Sequence, residues 1–127
     1  MVVQYLSSDA NFLITVGENA KENDSIRKKA SQSDLWFHLE DVSSPHVMLS
    51  EVKKSKNGFS REAIYEAASL CKAYSKQKTD QSSSVIWCKR KDVKNIVEID
   101  GRVELKGHVE KLRVFRDDTI KETLKKM

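Results

Sequence analysis

Residues 34–49 read DLWFHLEDVSSPHVML, two strand-like runs on either side of a Ser-Ser-Pro turn that holds the chain's single proline. The pattern predicts strands over residues 35–40 and 46–51 with a turn at 41–45. A period of two sends Leu35, Phe37 and Leu39 to one face and Trp36, His38 and Glu40 to the other. The second run divides into Val47, Leu49 and Glu51 against His46, Met48 and Ser50. Leu35, Phe37, Leu39, Val47 and Leu49 are core. The opposite sets bring a tryptophan and two histidines together on one face. There they either pack beneath a helix or form a half-open surface suited to stacking on bases and contacting phosphates.

Upstream, residues 2–6 and 12–16 are β-prone and joined by a turn-rich SSDAN, which predicts a hairpin. Gly17 ends it. Asn19 followed by Glu22 has the form of a capping box, predicting a helix over about residues 20–30. Its inward stripe, Asn19, Asn23, Ile26 and Ala30, is short of apolar mass, and Asn23 on that stripe needs a hydrogen-bond partner. Downstream, SREAIYEAASLCKAYSK (60–76) places Ala63, Ile64, Ala67, Ala68, Cys71 and Tyr74 on one helical face. A polar loop at 77–83, a strand at 85–88, the basic turn KRKDVKN and strand-like runs at 103–105 and 109–115 follow. A short helix over 119–126, capped by Asp117 or Asp118, closes the chain. The order ββαββαβββα predicts one α+β domain over residues 1–127. Its sheet is mixed or largely antiparallel, with two main helices and a short C-terminal one.

Composition bounds the function. The chain has 127 residues, 39% of them hydrophobic and 33% charged, as a wet-surfaced globular domain requires. No run approaches the roughly 18 apolar residues of a membrane span, and Met-Val-Val-Gln-Tyr lacks the basic segment of a secretion signal. Cys71 and Cys88 stand in apolar-periodic segments without CxxC spacing, which suits a reducing, cytoplasmic setting. A net charge of +4 and a pI near 9.0 favour a polyanionic partner.

The chemistry of sites narrows the field further. His38 and His46 have only His108 and scattered carboxylates to recruit as a third ligand, so no metal is expected. Ser43, Ser44 and Ser75 lie in no GxSxG elbow, and neither GxxxxGK[ST] nor GxGxxG occurs, so no catalytic residue and no cofactor is assigned. Basic residues do gather at element ends: Lys53, Lys54 and Lys56; Lys72, Lys76 and Lys78; and Lys89, Arg90, Lys91 and Lys94. Each cluster can neutralise phosphate, although Glu51, Asp80 and Asp92 interrupt them.

Several motifs have a family counterpart. Gly17, Asn19 and Asn23 fit G-x-N-x-x-x-N, and Asp34 to His38 fit D-[IL]-W-[FL]-H in order. Ser43, Ser44, His46 and Val47 fit a small-residue and H-V segment, Ala67, Ala68, Ser75 and Lys76 an alanine-rich helix ending in S-K, and Val85 with Trp87 a V-x-[YW] strand. Val93 with Lys94 and Gly101 to Val103 continue the match. Over most of its length the sequence thus resembles the NFACT-R domain, the predicted RNA-binding module of the NFACT proteins of ribosome-associated quality control, and within it the small standalone members. The family's tRNA-linked tail synthesis is attributed to regions preceding this domain, and is not expected here.

The resemblance implies a non-catalytic nucleic-acid-binding module for RNA, ribosomal or transfer, in a translation quality-control setting, with the ribosome as a further partner. Asn19, Asn23, Trp36, His38, Ser44 and His46 would form its functional surface, while Lys76, Lys89, Arg90, Lys91 and Lys94 position the backbone. DNA stays open as an alternative polyanion, and no membrane partner or oligomeric state is assigned. Two other classes remain. One is an enzyme acting on RNA or acylated RNA, with His38 or His46 as general base near Ser44. The other is a protein-interaction module that uses the KKSKNG loop and the basic turn.

Overall fold

The run at 34–49 forms the middle of a seven-stranded sheet. The computed structural model describes residues 2–40, 42–53, 57–95 and 103–127. Its strands are β1 (Val3–Leu6), β2 (Phe12–Gly17), β3 (Leu35–Leu39), β4 (His46–Glu51), β5 (Ser82–Lys89), β6 (Val93–Asn95), β7 (Val103–Leu105), β8 (Glu110–Phe115) and β9 (Lys125–Lys126). The helices are α1 (Ala20–Lys29), α2 (Arg61–Ala73) and a single turn, α3 (Ile120–Thr123). The main sheet has the order β8-β5-β3-β4-β2-β1-β9 and β6 pairs with β7 separately; every described pairing is antiparallel. The fold is α+β, as the element order predicts.

Register confirms the division into two faces. Trp36 stands opposite Met48 and Cys88, while Phe37 stands opposite Val47 and Trp87. On the Phe37 face, Leu35, Leu39, Val47, Leu49 and Val85 are sealed beneath α2. That helix starts at Ser60, whose Oγ accepts the Ala63 N–H at 3.2 Å. It buries Ala63, Ala67, Ala68 and Cys71, small side chains that let the helix lie close to the strands. On the Trp36 face, α1 buries only Asn23, Ile26 and Arg27. The β6–β7 hairpin supplies the rest of the cover, adding Val93, Val103 and Leu105 to Ile26, Trp36, Met48 and Cys88.

Four expectations need correction. The C-terminal helix ends after one turn, because Leu124 turns to extended backbone and Lys125 and Lys126 pair with Leu6 and Tyr5 as an edge strand. Thr119 rather than either aspartate is its N-cap, and Asp117 accepts the Thr119 N–H instead. Asn19 is exposed rather than inward: it caps α1, its Oδ1 accepting the Glu22 N–H at 2.9 Å. Ser82–Ser84, expected to lie in or beside a loop, extend β5 by pairing with Phe115, Val114 and Arg113.

A cleft at the end of β3

Where β3 turns into β4, the cover on the Trp36 face is incomplete and leaves a cleft of about 670 Å³. Asn19, Asn23, Trp36, His38, Ser44 and His46 all line it, with Lys76 at its rim. Elements distant in sequence meet here: the start of α1, the end of β3, the turn into β4 and the segment after α2.

The polar side chains Asn23 and Ser44 are held by identifiable contacts. Asn23 Oδ1 accepts the backbone N–H of His46 at 3.0 Å, which ties α1 to the first residue of β4 and answers the need for a partner read from the sequence. Gly17 makes room for it, since a Cβ there would lie 2.5 Å from Asn23 Oδ1. The Ser44 hydroxyl accepts the Leu39 N–H at 3.0 Å and donates to the Pro45 carbonyl at 2.9 Å, closing the turn. At the other end of β3, the Asp34 carboxylate accepts from Ser31 N–H and from the Ser50 hydroxyl.

Three rings form the floor. Trp36 and His38 stack at 5.5 Å between centroids, and His46 meets Trp36 edge-on at 5.2 Å and His38 at 5.4 Å. Trp36 is 1% exposed and His46 2%, so both are buried, and His38 is the ring left half-buried. His38 Nδ1 lies 2.6 Å from the Leu39 carbonyl oxygen, which can only accept. Nδ1 therefore carries the proton and Nε2 is an acceptor. Burial lowers the His38 pKa below its ordinary 6.5, only partly opposed by the Leu39 contact, so the ring is neutral at pH 7. Among the described residues, no three His, Cys, Asp or Glu side chains gather in a metal-holding group.

Residues 1–107 match the family described as the NFACT protein RNA binding domain. The chain belongs to this family. Among its relatives, mouse coiled-coil domain-containing protein 25 is 30% identical over 105 residues, covering 79% of this chain and 50% of its own length. The Rqc2 homolog RqcH of Bacillus subtilis (strain 168) is 28% identical over 94 residues, 73% of this chain and 16% of its own. The solved C-terminal part of the fibronectin/fibrinogen-binding protein from Streptococcus suis superposes with a TM-score of 0.85 at 27% identity, over 97% of this chain and 49% of that one. The chain therefore spans half or less of the length of these relatives.

In this NFACT domain the basic residues fall into separate places. Lys89, Arg90, Lys91 and Lys94 lie at the Leu35 end of β3, since Lys89 pairs with Leu35. The cleft is at the Leu39 end, a strand length of about 13 Å away. The Arg90 guanidinium is spent on backbone: Nε donates to the Arg27 carbonyl at 2.7 Å and Nη1 to that of Val93 at 2.9 Å. Lys89, Lys91 and Lys94 are exposed. The same hydrogen bonds bring the C-terminus of α1 alongside, adding exposed Lys28 and Lys29, which sequence reasoning missed although basic residues in a last helical turn were visible. Lys72 turns inward, its ammonium donating to the carbonyls of Gln77 and Asp80, and so leaves Lys76 and Lys78 as the exposed cations of its cluster. Lys54, Lys56 and Gly101 lie outside the described residues. Tyr74, Ile86, Val103 and Leu105 complete the cleft and were not foreseen, because only tertiary packing brings them there. Among the described residues, no helix is long and apolar enough to cross a membrane.

Proposed function

We propose that this domain binds unpaired RNA, ribosomal or transfer, in the cytoplasm in a ribosome quality-control setting, without catalysing a reaction on it. The observation that carries this reading is the convergence of Asn19, Asn23, Trp36, His38, Ser44, His46 and Lys76 on one cleft. Its volume, about 670 Å³, is within the range of ligand sites. A neutral, half-buried imidazole backed by a buried tryptophan offers a nucleotide an apolar face and a single acceptor. Lys76 stands at the rim to meet a phosphate.

The exposed Lys28, Lys29, Lys91 and Lys94 supply a second, purely electrostatic region at the Leu35 end of β3, where Lys89 also stands, with Arg90 holding the turn. The non-catalytic reading is supported by the hydrogen bonds of the candidate nucleophile: both directions of the Ser44 hydroxyl are used within the turn. A salt titration with labelled single-stranded RNA tests the reading. The association constant should fall linearly with salt on logarithmic axes. Replacing Lys89 and Lys91 by Glu should shallow the slope by about 0.7 for each phosphate that is no longer neutralised. Absence of binding at low salt, or binding indifferent to salt, would contradict it.

A further inference from the structure

Two polar atoms on the cleft floor have fixed and opposite hydrogen-bonding character. Asn23 is 6% exposed, and its Oδ1 must be the atom facing the His46 N–H, because that group can only donate. The amide nitrogen, Nδ2, is thereby a donor without a partner among the described residues, in a side chain that lines the cleft. His38 supplies the counterpart. With Nδ1–H given to the Leu39 carbonyl, Nε2 is an acceptor, likewise without a partner among the described residues. Both are anchored on one residue: Asn23 through the backbone of His46, and His38 through a ring contact at 5.4 Å.

A donor and an acceptor that line one cleft can both be met by a ligand group that donates and accepts. A phosphate ester offers acceptors only, and would set its negative charge against the His38 lone pair. A hydroxyl satisfies both atoms, and the ribose 2′-hydroxyl is the group by which proteins tell RNA from DNA. We infer that the cleft floor reads a ribose 2′-hydroxyl, Asn23 Nδ2–H donating to its oxygen and His38 Nε2 accepting its hydrogen, so that the domain selects RNA over DNA. This rests on the nucleic-acid reading above and adds the sugar as the feature recognised. The lowered pKa of His38 supports it, since the ring stays an acceptor at neutral pH.

The test compares a short randomised single strand as RNA, as DNA and as 2′-O-methyl RNA, against the wild type and two variants. Asn23→Asp keeps an oxygen on the His46 N–H while removing the donor. His38→Phe keeps a ring on Trp36 while removing the acceptor. The wild type should hold RNA about tenfold tighter than either other strand, the scale of one or two hydrogen bonds. In each variant the RNA-to-DNA affinity ratio should fall toward one. Equal affinity of the wild type for all three strands would overturn the inference and point to a base edge or the backbone, with nucleic-acid binding itself left standing. A ratio unchanged in both variants, with melting like the wild type, would also overturn it. If a variant does not fold, the wild-type comparison still decides. Failure of every strand to bind would remove the underlying reading, and this inference with it.

Discussion

On one face of β3, Leu35, Phe37 and Leu39 are shut beneath α2; on the other, Trp36 and His38 lie beneath α1 and a two-stranded hairpin that stop short of the strand's end. The strands are the same, so the difference lies in the covers. Helix α2 brings a stripe of alanines and a cysteine that can settle onto apolar side chains without a gap. Helix α1 brings Asn23, Ile26 and Arg27, and a polar inward stripe closes only where each polar atom finds a partner. An apolar cover gives stability, and an incomplete, polar one leaves room for a ligand.

The largest effect that would sharpen this contrast belongs to the closed face. Phe37→Ala removes a ring with 0% exposure from the centre of the sheet and should cost about 3–5 kcal/mol in urea unfolding. A destabilisation below about 1 kcal/mol would mean that face is not the main core. On the cleft side, Gly17→Ala sets a methyl 2.5 Å from Asn23 Oδ1 and should cost about 1–3 kcal/mol. Combined with Asn23→Ala, its cost should be less than additive, since the two act on one contact; strict additivity in a double-mutant cycle would disconnect them.

The smallest effect is in pH. The folded-state pKa of His38 lies below its ordinary 6.5, so protonation favours the unfolded chain. Its contribution is fully present above pH 6.5 and is lost as pH falls from there through the lowered folded value. Melting temperatures should drop over that window for the wild type and less for His38→Phe. Parallel curves would show that His38 is not desolvated.

The same contrast separates what the sequence made legible from what it did not. Strand parity in DLWFHLED divided Leu35, Phe37 and Leu39 from Trp36 and His38, because pleating alone fixes that division. The Asn23 requirement was legible too, as a polar residue on an inward stripe. Its partner was not, since His46 is 23 residues away and the bond is to backbone. Ser82–Ser84 resemble a loop by propensity and become strand through pairing with β8, and Lys125 and Lys126 become strand through pairing with β1. Burial of Lys72 was not legible because helical spacing says nothing of the carbonyls that fold back over its ammonium.

The central claim, that the ligand surface is the cleft on the α1 side, is tested most directly by nuclear magnetic resonance of the labelled chain titrated with single-stranded RNA. Shifts should concentrate at the Asn23 side-chain amide, the Trp36 indole, the His38 ring and the backbone of Asn19 and Lys76, with weaker changes at Lys89 and Lys91. Shifts confined to the α2 side, at exposed Arg61, Glu62 and Tyr65, with the Trp36 and Asn23 signals unmoved, would contradict it.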